Sequence, residues 1–201
     1  MNLFQESQDP IVLDLLDAEV IYYPAIFDIE TAEQLFQHLH TNTPWQHDVI
    51  KVFGKTYQQP RLTALYADNT NSYSYSGITM HPHPFNPPLE KIKKRVTEIT
   101  KQPFTTCLIN LYRDGNDSNG WHADNEKELG PDPIIASVSF GASRWFHLKH
   151  RHDKLQKTKI LLEPGSLLLM KGTTQQFWLH QIPKTKKPTS ARINLTFRTI
   201  I

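Results

Sequence analysis

Apolar residues recur at helical spacing in two places before residue 105, and beyond it they alternate or run in short blocks. In Asp28 to His40 the stripe is Ala32, Leu35, Phe36 and Leu39, with Asp28 placed to cap the helix. In Pro88 to Lys101 it is Leu89, Ile92, Val96 and Ile99, and Pro88 suits a first helical turn. Thr105 to Tyr112 then reads as a mostly apolar strand, closed by a turn over Arg113-Asp114-Gly115-Asn116-Asp117. Further strands are predicted over Ile134 to Phe140, Arg144 to Lys149, Lys159 to Leu162, Ser166 to Met170 and Ala191 to Ile200. Short strands at this spacing, without helices between them, predict a mainly β fold with α: a sandwich or jelly roll braced by the helices that precede it.

The last of these strands has an unusual polar face. At a period of two, Arg192, Asn194, Thr196 and Arg198 point to one side and Ile193, Leu195 and Phe197 to the other. Packed into a core, that polar face would strand two guanidiniums unless an anion paired with them. A small dicarboxylate would satisfy both.

Composition narrows the setting. With 201 residues, 38% hydrophobic and 21% charged, the chain suits one globular domain, and no run approaches the ~20 apolar residues of a membrane span. Met1 to Pro10 lacks the basic start and apolar core of a signal peptide. The single cysteine, Cys107, sits in an apolar run and reads as a buried, inert thiol that suits a reducing interior. The expectation is an intracellular monomer without membrane contact, cytoplasmic in a bacterium or nuclear in a eukaryote. Net charge is only +2, yet Lys149, Arg151, Lys154, Lys157 and Lys159 cluster against one acid, Asp153, and Lys184, Lys186 and Lys187 form a second basic group. Such loops are either solvated faces or contacts to a phosphate backbone.

Candidate metal ligands lie in the same half of the chain. His122 and Asp124, two apart, project to one side of a strand or its edge, and His180 is the best distant third ligand. Two imidazoles and a carboxylate form a facial triad that leaves positions open, as non-haem Fe(II) oxygenases require. His81, His83, His147, His150 and His152 compete as ligands. The two-arginine strand favours the oxygenase reading, because a zinc hydrolase has no need of a dianionic co-substrate beside its metal.

From about Val52 to Ile201 the chain resembles the AlkB-type Fe(II)/2-oxoglutarate dioxygenases. The resemblance is carried by Asn110-Leu111-Tyr112, His122-x-Asp124, the run from Ile135 to Gly141, Pro164-Gly165-Ser166-Leu167, His180 and the terminal Arg-x-Asn-x-Thr-Phe-Arg. It is most similar to the branch that repairs alkylated bases in duplex DNA. The resemblance implies a double-stranded β-helix with Fe(II) held by His122, Asp124 and His180. It also implies 2-oxoglutarate, with O2 as the other co-substrate, against Asn110, Tyr112, Arg192, Thr196 and Arg198. Arg192 with Tyr112 would hold the distal carboxylate, and Arg198 would lie nearer the metal. On this basis residues 1–20 form an N-terminal extension and 21–201 a single domain, with a nucleotide-recognition lid over about 45–85 and a jelly-roll core over about 103–201.

Upstream residues extend the resemblance toward an alkylated-DNA substrate, with RNA as a second candidate. Tyr73-Ser74-Tyr75-Ser76-Gly77 is similar to a lid segment that supplies aromatic walls, so Tyr73 or Tyr75 would stack on a flipped base. Glu126 matches a carboxylate that meets the base's amino edge, and Arg61 would support the pocket. Phe53, in Val52-Phe53-Gly54-Lys55, would be a wedge inserted into the vacated stack. The basic stretch from Lys149 to Lys159 matches a backbone-gripping loop. Two positions depart from the family pattern: Trp121, bulky beside the first ligand and expected to reshape the pocket rim, and Asn125, where an acid is expected. The implied reaction is oxidative dealkylation of 1-methyladenine- or 3-methylcytosine-type lesions, releasing formaldehyde and succinate. Alternatives are a 2-oxoglutarate hydroxylase or demethylase acting on a protein or small molecule, and a non-catalytic nucleic-acid-binding module.

Overall fold

The computed structural model describes residues 9–52, 55–70, 73–75, 78–187 and 189–200. In its first half the elements are β1 (Ile11–Leu13), β2 (Glu19–Tyr23), α1 (Ile29–Asn42), β3 (Val49–Val52), β4 (Lys55–Gln58), β5 (Leu62–Ala67), β6 (Tyr73–Tyr75), β7 (Ile78–Met80), β8 (His83–Pro84) and α2 (Pro87–Thr100). The second half holds β9 (Thr106–Tyr112), β10 (Asn119–His122), β11 (Ile135–Gly141), β12 (Arg144–His150), β13 (Lys157–Leu162), β14 (Leu167–Lys171), the short α3 (Thr174–Phe177), β15 (Trp178–Ile182) and β16 (Arg192–Arg198).

Both predicted helices form where their apolar stripes lie. The Asp28 carboxylate accepts the Thr31 N–H at 2.7 Å to start α1, and Asn86 caps α2 through the Leu89 N–H at 3.1 Å. The α2 helix ends on Lys101 in the left-handed conformation. Their buried residues, Leu35 and Leu39 on α1 and Leu89, Ile92 and Val96 on α2, pack on one face of an eight-stranded sheet. That sheet has the order β1-β2-β14-β11-β16-β9-β5-β8. A four-stranded sheet, β10-β15-β12-β13, covers its other face. A second core of Tyr22, Ile135, Phe146, Leu148, Leu162, Leu168, Trp178 and Ile182 lies between the two sheets. The resulting layers are helices, large sheet and small sheet, which is the expected helix-braced jelly roll.

Two boundaries differ from expectation. The extension expected over 1–20 joins the large sheet from Ile11 onward, because β1 pairs with β2 and β2 pairs with β14. Val20 and Tyr22 face the inter-sheet core, while Ile11, Val12 and Leu16 stay exposed at the edge of the sheet. The lid expected over about 45–85 contains the hairpins β3–β4 and β6–β7, but β5 between them is a full member of the large sheet, paired with β9 from Leu62↔Leu111 to Ala67↔Thr106. Its Ala64 and Tyr66 belong to the helix-side core, which a lid strand open to solvent could not provide. Cys107 is fully buried, and burial pushes its thiol pKa up, so the thiol is inert as expected. Among the described residues no helix is long and apolar enough to cross a membrane.

The β11–β12 corner depends on Gly141. Its φ is +77°, and an added Cβ would lie 2.5 Å from the Ala191 carbonyl oxygen and 2.6 Å from the Phe36 ring. Gly141→Ala therefore combines a left-handed backbone penalty with overpacking against backbone, and we expect it to destabilise the fold by about 2–4 kcal/mol. Gly120→Ala, where a Cβ meets nothing within 4 Å, should stay within about 0.5 kcal/mol. Urea unfolding of the two variants checks the contrast; equal stability would contradict it.

Candidate active site

The register of β16 builds the site. It lies between β11 and β9, so residues directly opposite one another share a face. Arg192 stands opposite Tyr112, Asn194 opposite Asn110 and Ser139, and Thr196 opposite Leu108 and Ser137. These side chains, with Arg198, face the small sheet, while Ile193, Leu195 and Phe197 pack toward the helices. The polar faces line a chamber between the sheets, closed on its other side by Asn119, His122, Asp124, Phe146 and His180.

Arg192 is 1% exposed, and burial lowers its pKa to about 10. Its Nη2 donates to Ser139 Oγ at 2.9 Å and the Tyr112 ring lies 5.3 Å from the guanidinium carbon. Its Nε and Nη1 are buried with no hydrogen-bond partner among the described residues. A buried cation with unused N–H donors fits an anionic carboxylate. Asn110 faces the same space. Arg61, buried at the start of β5, donates Nε–H to Asn110 Oδ1 at 2.7 Å, which turns the amide's N–H donors away from Arg61. Asn194 is held differently, donating to Ser137 Oγ and the Val138 carbonyl and accepting from Thr196 Oγ1.

The predicted triad is brought together. One ligand atom each from His122, Asp124 and His180 lies within 4.8 Å of the others. An ion reaching about 2.0–2.2 Å to each nitrogen or oxygen is accommodated by a small inward turn of these side chains. The protonation states fit as well. Burial lowers both imidazole pKa values, that of His180 to about 3, so both rings are neutral and able to ligate. Burial alone would raise the Asp124 carboxyl; the charge of Arg198, which also donates a hydrogen bond to it, opposes this and the group is held ionised. Arg198 Nη2 donates to Asp124 Oδ1 at 2.7 Å, while Oδ2 lies 3.9 Å from His180 Nε2. Arg198 thus lies beside the candidate triad, with its guanidinium on the Asp124 carboxylate. His122 Nδ1 sits 2.7 Å from the Gly120 carbonyl, which assigns the proton to Nδ1 and leaves Nε2 as an acceptor, to which the Asn119 amide donates at 3.1 Å. Phe146 stacks on His180 at 5.1 Å, and the Gln175 side chain accepts the Asp124 N–H at 2.9 Å.

The competing histidines lie elsewhere. His147 is on the outer face of the small sheet, His150 lies beside Asp17 and His152, His83 packs beside Tyr66, and His81 is exposed. Glu126 is half-buried near the triad, and burial with the Asp124 charge raises its pKa. Trp121 does not shape the chamber rim: β10 turns it outward, where Lys149 Nζ lies 4.3 Å from its ring centroid. Asn125 is exposed. Tyr73 and Tyr75 are on the backbone of β6, and their side chains lie outside the described residues. Phe53 also lies outside them, between strands whose last pair is Val52↔Lys55. Sequence reasoning did not assign Asn194, Ser137, Ser139, Asn119 or Gln175 to the site. The strand period on β11 and β16 already marks the first three; Asn119 and Gln175 carry no comparable signal.

Comparison with known proteins agrees with this geometry. The model of the 2OG-Fe(II) oxygenase superfamily matches residues 19–198. The human alpha-ketoglutarate-dependent dioxygenase alkB homolog 3 is 41% identical over 192 residues, covering 91% of this chain and 66% of that protein. The mouse DNA oxidative demethylase ALKBH2 is 38% identical over 189 residues, covering 89% of this chain and 79% of that protein. The chain thus spans just under two thirds of the length of its alkB homolog 3 relatives. The solved structure of OsALKBH1 shares the fold, with a TM-score of 0.65 at 16% identity, covering 92% of this chain and 99% of that one. A match that begins in β2 and ends on Arg198, joined to relatives at this level of identity, means that the chain belongs to the AlkB-type members of the 2OG-Fe(II) oxygenase superfamily.

Proposed function

We infer that this protein is an Fe(II)- and 2-oxoglutarate-dependent dioxygenase that removes N-alkyl groups from nucleobases of DNA, with RNA as a second substrate. The observation that carries the reading is the shared chamber: a neutral His122, an ionised Asp124 and a neutral His180 face the same space as the unused donors of Arg192. The nucleic-acid part is supported by relatives named DNA oxidative demethylases. A nucleic-acid substrate favours a protein that acts inside the cell.

The residues divide the work by position. Arg192, beside Tyr112 and Ser139, is suited to hold the distal carboxylate of 2-oxoglutarate in a bidentate grip. Asn110, its amide oriented by Arg61, presents N–H donors to the same molecule. Arg198 holds one oxygen of Asp124 and leaves the other directed to the ion, fixing the ligand without neutralising it. Fe(II) held by this triad would supply oxidative decarboxylation of 2-oxoglutarate by O2 coupled to hydroxylation of the N-methyl carbon, after which formaldehyde is lost. Phe146 and the apolar inter-sheet core keep bulk water from the reacting carbon. No side chain has to act as nucleophile.

Three measurements test the reading. Mn(II), a redox-quiet probe, should raise the thermal midpoint by about 5 °C or more at 100 times its Kd. His180→Ala should lose that shift together with formaldehyde release from methylated oligonucleotides; an intact shift in the variant would remove His180 from the metal site. Arg192→Lys keeps the charge but loses the fork, so KM for 2-oxoglutarate should rise at least tenfold, and an unchanged KM would reassign the carboxylate clamp. Phe53→Ala should lower dealkylation of duplex DNA at least tenfold relative to single strands; equal activity on both would remove the wedge role.

A further inference from the structure

The outer face of the small sheet carries features that the chamber does not use. Along β12, Phe146 and Leu148 point into the inter-sheet core, which turns Trp145, His147 and Lys149 outward. Trp145 is 44% exposed and Trp121, on the neighbouring edge of the sheet, 39%. Each indole has a lysine over its ring: Lys159 Nζ lies 4.6 Å from the Trp145 centroid and Lys149 Nζ 4.3 Å from that of Trp121. Two shallow clefts meet at His147, one running from Trp145 to Lys184 and Lys187, the other from Trp121 to Lys157 and Lys159. Among the described residues no acid lines either cleft. Among the described residues none of these five lysines forms an ion pair.

Exposed indoles next to unpaired cations, repeated along one face, match what a single polynucleotide strand offers. Bases stack on flat rings in a sequence-tolerant way, and phosphates meet the lysines. About 13 Å of strand separates Trp145 from Lys149, the cap of Trp121, so the two platforms are spaced for successive parts of an extended strand rather than for one base. A duplex presents no free base faces to these rings, and an acidic peptide would satisfy the lysines but leave both indoles unused. The face is also continuous with the chamber, because β10 turns His122 inward and its neighbour Trp121 outward. The stretch from Lys149 to Lys159 is already expected to meet a phosphate backbone; we propose in addition that this face is a stacking track for the single-stranded nucleic acid flanking the base held in the chamber, with Trp121 and Trp145 as platforms beside those lysines. It rests on the nucleic-acid reading above and adds a second contact area to it.

The test is fluorescence anisotropy with lesion-free, dye-labelled DNA single strands of about 15 and about 5 nucleotides, lengths near the two ends of typical single-strand site sizes. Trp145→Ala should weaken binding of the long strand by about fivefold or more and bring the long-to-short affinity ratio toward one, while Trp145→Phe restores most of the difference. Lys159→Ala should reduce the slope of log affinity against log salt by about 0.7. Long-strand affinity unchanged in Trp145→Ala, or a salt slope unchanged in Lys159→Ala, overturns the track. Poly-glutamate that binds as tightly as the strand and is equally weakened by Trp145→Ala also overturns it, in favour of an acidic-peptide surface. Wild-type protein that binds strands through Trp145 yet releases no formaldehyde from methylated oligonucleotides supports the track and refutes the dealkylase reading. Normal formaldehyde release with binding indifferent to Trp145 refutes the track alone.

Discussion

Taking a guanidinium out of water costs several kcal/mol unless partners replace the lost hydration, and β16 buries two of them on one face of a single strand. The protein meets this constraint in two ways. Arg198 is given a carboxylate from within the chain, and because that carboxylate is Asp124, the solution to one burial problem also orients a metal ligand. Arg192 is given only a hydroxyl and an aromatic ring, and two of its nitrogens remain without hydrogen-bond partners among the described residues. One end of the strand has its counter-charge within the chain, and the other turns its remaining donors to the chamber. The proposed direction of 2-oxoglutarate, distal carboxylate toward Arg192 and reactive end toward the triad, rests on that asymmetry.

The same asymmetry explains how the sheets are arranged. The apolar side of β16 has to be covered, and α1 and α2 cover it through Leu35, Leu39, Ile92 and Val96. The polar side must be kept from bulk water without being filled, which is what a second sheet at jelly-roll spacing provides. The small sheet brings His122, Phe146 and His180 on three of its strands to face the arginines. The contacts that orient the chamber groups come from outside it: Arg61, just before β5, sets Asn110, and Gln175 on α3 holds the Asp124 backbone.

The parts legible in the sequence are those where a local period decides the outcome. The alternation in β16 separated clamp residues from core residues, and the stripes of α1 and α2 located the helix layer. The triad was legible once the anion-requiring strand had selected it from ten histidines. Less legible were features set by pairing at a distance. The strands β1, β2 and β5 are short apolar stretches whose place in the large sheet depends on partners far along the chain. Trp121 was misplaced at the chamber rim because its neighbour His122 faces the chamber, although consecutive strand residues face opposite ways. The role of Gln175 depends on a four-residue helix brought to Asp124 by the fold, and no spacing rule announces it.

The registry of β16 also limits how such a protein can diverge. Because faces alternate at every residue, inserting or deleting one residue within β16, β9 or β11 would exchange arginine for isoleucine in the chamber and put charge against the helices. The three central strands therefore tolerate substitution far better than any change of length. Length variation is left to the connections, among them the β3–β4 and β6–β7 hairpins and the turn joining β12 to β13. Oxidative chemistry of one fixed kind can thus be carried to new polymers, with the inner strands keeping their lengths while the outer turns lengthen, shorten and change partners.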